Sequence, residues 1–194
     1  MTQPDRQAIT DVFKRSGALL EGHFRLSSGL HSSAYLQCAL VLQDPRVASE
    51  LGEALGAHLR SLGATAVLSP ALGGILVGHE VARALGLRAL FAERQEGRLL
   101  LRRGFTLGPA DRVLVVEDVV TTGLSTQETI DVARAAGAAV VGAGALVDRS
   151  GGKADLGVPF HALLPVDLPT WAPDACPLCA QGLPVVKPGS RPTA

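Results

Sequence analysis

A chain of 194 residues with 18 Lys+Arg and 18 Asp+Glu carries no formal net charge, and 47% of it is hydrophobic. That length and apolar share fit one domain with a buried core and exclude a disordered segment. The neutral balance excludes a protein whose main task is to coat nucleic acid, which needs a basic face.

In chain order, residues 5–16 read as a short amphipathic helix with Ile9, Val12 and Phe13 on one face. Residues 22–43 read as short extended pieces broken by Gly22, Gly29 and the serines at 27, 28, 32 and 33. Asp44-Pro45 is a helix start, since Asp caps and Pro suits the first helical position. Val47, Leu51, Leu55, Leu59 and Leu62 then recur at helical spacing, and Gly63 ends the helix. Strands at 66–69, 87–91, 113–116 and 139–147 alternate with helices at 75–85 and 126–136, each helix followed by glycine. Residues 92–111 read as a long arginine-rich connection, and the tail from 165 is rich in proline. Strands alternating with helices imply an α/β fold around a parallel sheet. The 22 glycines, above the average share of about 7%, imply helices packed closely on that sheet and several glycine-built loops.

No run reaches the roughly 18 apolar residues of a membrane span. The N-terminal stretch is charged throughout, without the apolar region of a secretion signal. The three cysteines, Cys38, Cys176 and Cys179, then point to a reducing, cytoplasmic setting rather than a disulfide scaffold.

The most informative segment is VLVVEDVVTTGLSTQETI, residues 113–130. An apolar strand runs into Glu117-Asp118, then a loop with Thr121, Thr122, Gly123 and Ser125, then a helix; Ser125 and Glu128 have capping-box spacing. Open parallel sheets bind ligands at the carboxyl ends of their strands. The free amides and positive dipole end of the helix suit a phosphate, hydroxyls add donors, and Gly123 lets the backbone come close. Two adjacent carboxylates suit a ribose diol and a hydrated Mg²⁺. The segment is neither a GxxxxGK[ST] loop nor a GxGxxG fingerprint. An ordinary strand–helix turn whose polar residues only cap the helix is the alternative.

VVEDVVTTGLS resembles the signature of the type I phosphoribosyltransferases. LLEGHFRLSSGLHSSAYLQ (19–37), SPALGGI (69–75), ALVDRSGG (145–152) and the C-terminal CPLCAQGLPVVKPGSR resemble the orotate-using members, so the likeness covers nearly the whole chain. The resemblance implies a single domain over 1–194: an α/β core of about 44–149, and a small hood from about 1–43 and 150–194. It implies transfer of the 5-phosphoribosyl group from phosphoribosyl pyrophosphate to orotate in pyrimidine biosynthesis, giving orotidine 5′-monophosphate and pyrophosphate. Mg²⁺ is the implied cofactor and a homodimer sharing a loop across subunits the implied assembly.

Position by position, the resemblance implies that Glu117 and Asp118 hold the ribose hydroxyls and stabilise the ring, with Mg²⁺ reached through substrate. The donor's phosphate would rest on the loop formed by Val119, Val120, Thr121, Thr122, Gly123, Leu124 and Ser125. Pyrophosphate would meet Ala71, Gly73 and Gly74, whose backbone amides can point at an anion; a helix-start turn needing small residues is the alternative. Thr121, Arg149, Ser28 and Gly29 would contact orotate, Arg149 through a bidentate bond to its carboxylate. An exposed arginine at a strand end is the alternative for Arg149.

The chain departs from the pattern in three places. Gly73 and Ser27 stand where many members have lysine. The mobile loop, lysine-rich and ending in His elsewhere, reads ERQEGRLLLRRGF (93–105). Arg94 is the implied counterpart of the catalytic loop's basic start, with Arg98, Arg102 and Arg103 as further contacts to the donor. Arginine does not give up its proton, so charge stabilisation is its natural role. A strand hairpin with a solvated basic face is the alternative.

Cys176-Pro-Leu-Cys179 has the spacing of half a zinc site, but the chain has no second pair, so a zinc ion would need His161 or a partner subunit. Two reduced cysteines in a turn are the blander reading. His23, His31, His58 and His79 show no ligand spacing, and Trp171 reads as packing under the tail. A purine or xanthine phosphoribosyltransferase and a non-catalytic phosphoribosyl-pyrophosphate-binding regulator are the rival readings. The segments GHFRLSSG and VDRSGG favour orotate over the first, and the neutral charge without spare length disfavours the second.

Overall fold

The short apolar runs of the middle of the chain pair with one another as parallel strands, because each is too hydrophobic to leave either face in water. The computed structural model describes residues 6–26 and 29–187. Ser28, one of the expected orotate contacts, lies outside them. In order, the elements are α1 (Arg6–Arg15), β1 (Leu19–Arg25), β2 (His31–Leu36), α2 (Cys38–Leu42), α3 (Pro45–Leu59), β3 (Ala66–Pro70), α4 (Gly73–Leu85), β4 (Arg88–Gln95) and β5 (Arg98–Leu101). They continue with β6 (Arg112–Val120), α5 (Leu124–Ala135), β7 (Ala139–Asp148), β8 (Phe160–Pro165), β9 (Thr170–Trp171) and α6 (Pro177–Ala180).

Six strands form the central sheet in the order β5-β4-β3-β6-β7-β8, and β1-β2-β9 form a separate three-stranded sheet. All neighbours in the central sheet run parallel except the β4–β5 pair. This is the expected α/β core with helices on both faces. Successive strand residues point to opposite faces. Val67, Leu114 and Val116 accordingly join Leu51, Leu55, Leu59, Val77 and Val81 under α3 and α4. Ala66, Leu68, Val113 and Val115 join Ile130 and Ala133 under α5. Asp44 caps α3 as expected, its Oδ1 accepting from the Arg46 amide at 2.9 Å.

Glycine sets the packing distances. A Cβ built on Gly144 would lie 2.6 Å from Leu59 Cδ1, and one on Gly142 would lie 2.5 Å from Leu62 Cδ1. Bare backbone there lets the 45–62 segment settle onto β7.

Several elements differ from the sequence expectation. Residues 92–111 are not a plain connection. β4 runs on to Gln95 and folds back on β5, with Arg94 opposite Leu99. Glu96 and Gly97 turn the hairpin at φ of 50° and 83°, the pair of positive values a tight two-residue hairpin loop requires. The apolar run at 38–42, expected as extended chain, forms the single helical turn α2; a five-residue apolar stretch carries too little periodicity to separate the two. The proline-rich tail, which the sequence leaves either wrapping the surface or packing on the N-terminal piece, does the latter, since β9 adds to β2; before it, β8 pairs with β7 at the sheet edge.

The α3–α4 contact offers a clean test. A Cβ on Gly52 would lie 2.5 Å from Glu80 Cβ and 2.8 Å from the Glu80 carbonyl carbon. Gly52→Ala is expected to destabilise the protein by about 1–3 kcal/mol through overpacking. Gly56→Ala, whose Cβ meets nothing nearer than Ala84 Cβ at 3.4 Å, should be neutral or gain up to about 1 kcal/mol of helix propensity. Urea unfolding midpoints of the two variants separate these outcomes.

Candidate active site

The chain leaves β3 toward β4 on one side and returns to β6 on the other, so the strand order reverses between β3 and β6. A crevice opens at such a reversal, beyond the carboxyl ends of the two strands. Residues 71–74 leave β3 there and begin α4, and residues 121–123 leave β6 and begin α5. The Ala71–Leu72 peptide bond is cis. The two turns meet at the acidic pair. A Cβ on Gly73 would fall 2.7 Å from Asp118 Oδ1, and one on Gly74 would fall 3.2 Å from Glu117 Oε1 and 3.0 Å from the Val116 carbonyl oxygen. Bare backbone at both positions lets the amides of the first turn come up beside the carboxylates of β6.

Glu117 and Asp118 lie within β6, not in the loop after it. Being adjacent on a strand, they face opposite sides of the sheet. Glu117 is buried, at 5% exposure, and its Oε2 accepts from Ser125 Oγ at 3.0 Å. Burial, reinforced by the neighbouring Asp118 charge, raises the Glu117 carboxyl from an ordinary 4.5 to about 9. Asp118 is half-buried, and its Oδ1 accepts from the Val119 amide at 2.9 Å.

The loop after β6 is built for an anion. Gly123 sits at the N-cap of α5 with φ of 81°, a value open to glycine. Thr121, Thr122 and Leu124 are exposed. The anticipated capping box is not formed: Ser125 is spent on Glu117, and Glu128 pairs with Arg94. Gly123 offers no capping side chain, and only the Leu124 amide is taken, by Thr122 Oγ1 at 3.3 Å, so the amides that follow keep their donor capacity and the helix its dipole for a ligand.

Arg149 follows β7, its amide bonded to the Val120 carbonyl at 2.8 Å. The side chain is half-buried, makes no ion pair among the described residues, and leaves Nε without a partner. Burial lowers its pKa, opposed by Tyr35 and Cys38 nearby. Cys38 is buried too, and its thiol is raised well above the ordinary range by burial and then by the charges of Asp118 and Glu117, so it is held neutral. Gly29 turns the β1–β2 connection at φ of 85°.

None of the four expected loop arginines pairs with Glu117 or Asp118. Arg94 is bound by Glu128 on α5, and Arg103 by both oxygens of Glu93, at 2.9 and 2.8 Å. Arg98 borders a surface groove of about 420 Å³ with Leu99, Leu101, Glu128, Asp131 and Val132. Arg102 is exposed just past β5.

The fold also assembles a group that sequence spacing missed: His23, His31, Cys176 and Cys179 offer ligand atoms all within 4.8 Å of one another. His23 and His31 share a hairpin, Arg25 lying opposite His31. Two histidines close to a hairpin turn, rather than at helical spacing, were the available signal. His161, the expected partner for the cysteines, instead stacks with His58 at 6.2 Å.

A reversal-point crevice where one glycine turn and one glycine-led helix start close around an acidic pair, Glu117 buried and Asp118 half-buried, is the ground plan of the type I phosphoribosyltransferases, a class of pentosyl-transferring enzymes. The comparisons agree. The chain matches no family model. It is 56% identical to the orotate phosphoribosyltransferase of Desulforamulus reducens over 96% of this chain and 98% of that one. It is 57% identical to that of Carboxydothermus hydrogenoformans over 93% and 95%. Its structure resembles the crystal structure of orotate phosphoribosyltransferase from Aeropyrum pernix with a TM-score of 0.69 at 31% identity, covering 81% and 93% of the two chains. The chain belongs to the orotate phosphoribosyltransferase family.

Glu117 makes stability depend on pH. Below 4.5 folded and unfolded chains both carry its proton; between 4.5 and about 9 only the folded chain does. The unfolded state then binds fewer protons, so stability falls as pH rises through this window, by up to about 1.4 kcal/mol per pH unit, and levels off above it. Glu117→Gln is expected to remove that fall, and urea unfolding of the two proteins across the window measures it.

Proposed function

We propose that this chain transfers the 5-phosphoribosyl group of phosphoribosyl pyrophosphate to orotate, with residues of the β3–β6 crevice acting on both. The observation that carries the reading is the approach of Gly73 and Gly74 to Asp118 and Glu117, because phosphoribosyl pyrophosphate needs two anion subsites on either side of a diol. The 5′-phosphate would sit on the amides and hydroxyls of Thr121, Thr122, Gly123, Leu124 and Ser125. The pyrophosphate would take backbone amides around Ala71, Gly73 and Gly74. Glu117 and Asp118 would receive the ribose hydroxyls.

As the C1′–oxygen bond to pyrophosphate breaks, positive charge grows on the ring, and the Asp118 carboxylate beside it stabilises that charge, with Glu117 holding its proton until a cationic ring draws it off. The ring nitrogen of orotate then bonds to C1′ and gives up its N–H proton to solvent. Arg149, with its unpartnered Nε, supports a contact to the orotate carboxylate, which a purine lacks. Thr121 and the backbone around Ser28 and Gly29 would complete that subsite. Arg94, Arg98, Arg102 and Arg103 supply positive charge for the leaving pyrophosphate without donating a proton. For Arg94 and Arg103 this means leaving Glu128 and Glu93.

Mg²⁺ fits this donor set. Asp118 keeps one carboxylate oxygen beyond the Val119 amide at the crevice, and a hydrated Mg²⁺ is typically held by one or two carboxylates plus substrate oxygens. When bound it would neutralise charge on the donor. The domain reading is one phosphoribosyltransferase domain with a core near 44–149, extended by β8, and a hood from the chain ends. Leu72 and Leu76, 84% and 51% exposed beside the pyrophosphate turn, suit a homodimer that covers them. A cytoplasmic site fits the free cysteines, and no helix among the described residues is long and apolar enough to cross a membrane.

Orotate depletion in the presence of phosphoribosyl pyrophosphate and Mg²⁺, with adenine, hypoxanthine and xanthine run beside it, tests the reading; consumption of a purine in place of orotate overturns it. Asp118→Asn is expected to lower kcat by about 10²–10³-fold, and unchanged turnover would remove Asp118 from the site. Arg149→Ala is expected to raise the KM for orotate by about 10–100-fold, the worth of a charge-assisted hydrogen bond. The KM for the phosphoribosyl donor should move far less, and equal changes would argue against the carboxylate contact.

A further inference from the structure

We infer that His23, His31, Cys176 and Cys179 form a structural zinc site that staples the C-terminal segment to the β1–β2 hairpin. Four of the six distances between the ligand atoms can be set against those of a tetrahedral ion, and the other two are no more than 4.8 Å. His23 Nε2 lies 2.9 Å from His31 Nδ1, 3.5 Å from Cys176 Sγ and 3.7 Å from Cys179 Sγ. Cys179 Sγ lies 3.3 Å from His31 Nδ1. With Zn–N near 2.0 Å and Zn–S near 2.3 Å, a tetrahedral ion spaces its nitrogens by roughly 3.3 Å, nitrogen from sulfur by roughly 3.6 Å, and its sulfurs by roughly 3.8 Å. Two imidazoles and two thiolates in that arrangement select zinc over hard cations such as Mg²⁺.

The surroundings prepare the ligands. His23 Nδ1 lies 2.8 Å from the Leu183 carbonyl oxygen. A carbonyl only accepts, so Nδ1 donates to it and the ring is oriented with Nε2 facing the cluster. This is how metal-binding histidines are commonly oriented. His23, His31 and Cys176 are 4%, 6% and 3% exposed, while Cys179 is exposed and leaves a way in. Four protein ligands leave no open position, so the ion acts on structure and not on chemistry.

The location explains the need. The β1-β2-β9 sheet has little core of its own, and Leu183, Val185 and Val186 beside it are about half exposed. The C-terminal segment is held to β1 by a few backbone bonds, among them Arg25 N–H to Val186 O and Val186 N–H to His23 O, each at 2.8 Å. Small sheets of this kind commonly need a metal or disulfide to hold their shape.

The test is elemental analysis of the full chain, purified under reducing conditions without a polyhistidine tag or chelator. About one zinc per chain is expected, falling at least tenfold in Cys179→Ser and in His31→Ala, while Asp118→Asn keeps its zinc. If those variants fail to fold, Co²⁺ added to chelator-stripped wild-type protein decides instead: intense visible bands of a tetrahedral ion with a thiolate charge-transfer band are expected. Wild-type protein that holds no zinc and gives no such spectrum overturns the site, as does zinc content unchanged by Cys179→Ser in folded protein.

Discussion

Parallel pairing of β3 with β6, while their following connections part to opposite sides, is the constraint on which the rest of this molecule depends. It opens a crevice whose floor is made of strand ends and whose walls are the starts of α4 and α5. Both helices then begin in one small volume, and the carboxylates of β6 lie between their starts. The glycines at 73 and 74 follow from this crowding, since a side chain there would strike Asp118 or the backbone of β6. So do the buried apolar faces of β3 and β6, which lock the register that brings the two turns level.

The same crowding governs charge. Two adjacent carboxylates, one of them buried, cannot both ionise cheaply, and the protein resolves this by leaving the proton on Glu117. The Ser125 hydroxyl of α5 donates to the same carboxyl and opposes this, favouring the ionised form without overcoming burial. The arginines of the β4–β5 hairpin meanwhile are engaged by acids of their own neighbourhood, Glu93 and Glu128. The resting molecule therefore keeps Arg94 and Arg103 away from the acidic pair of β6, and a polyanion bearing a diol is the kind of ligand that would address both.

The core was legible in the sequence because its strands are unbroken apolar runs and its helices are punctuated by Asp44-Pro45, Gly63, Gly86 and Gly137. The segment at 113–130 disclosed the phosphate turn through residue types alone. What escaped had weak local signals. Glu96-Gly97 is a poorer hairpin cue than Asn-Gly, so a paired hairpin read as a connection. Ser125 and Glu128 have capping-box spacing, yet each found a stronger partner in the tertiary structure. His23 and His31 were unreadable against Cys176 because the hairpin and the C-terminal turn meet only after the chain has folded back through β8 and β9.

That meeting of chain ends has a consequence for how the protein is made. Among the described residues the core clusters draw on the chain as far as Leu168, just past β8, and on none of the C-terminal turn, so the core can form once that stretch leaves the ribosome. The β1–β2 hairpin, although synthesised almost first, waits for Val186 to supply its backbone partner. The part of the molecule expected to cover orotate is therefore completed last. A truncated chain ending before Cys176 would keep its phosphate crevice while lacking a finished cover, so premature termination leaves a folded core that does not close over its substrate.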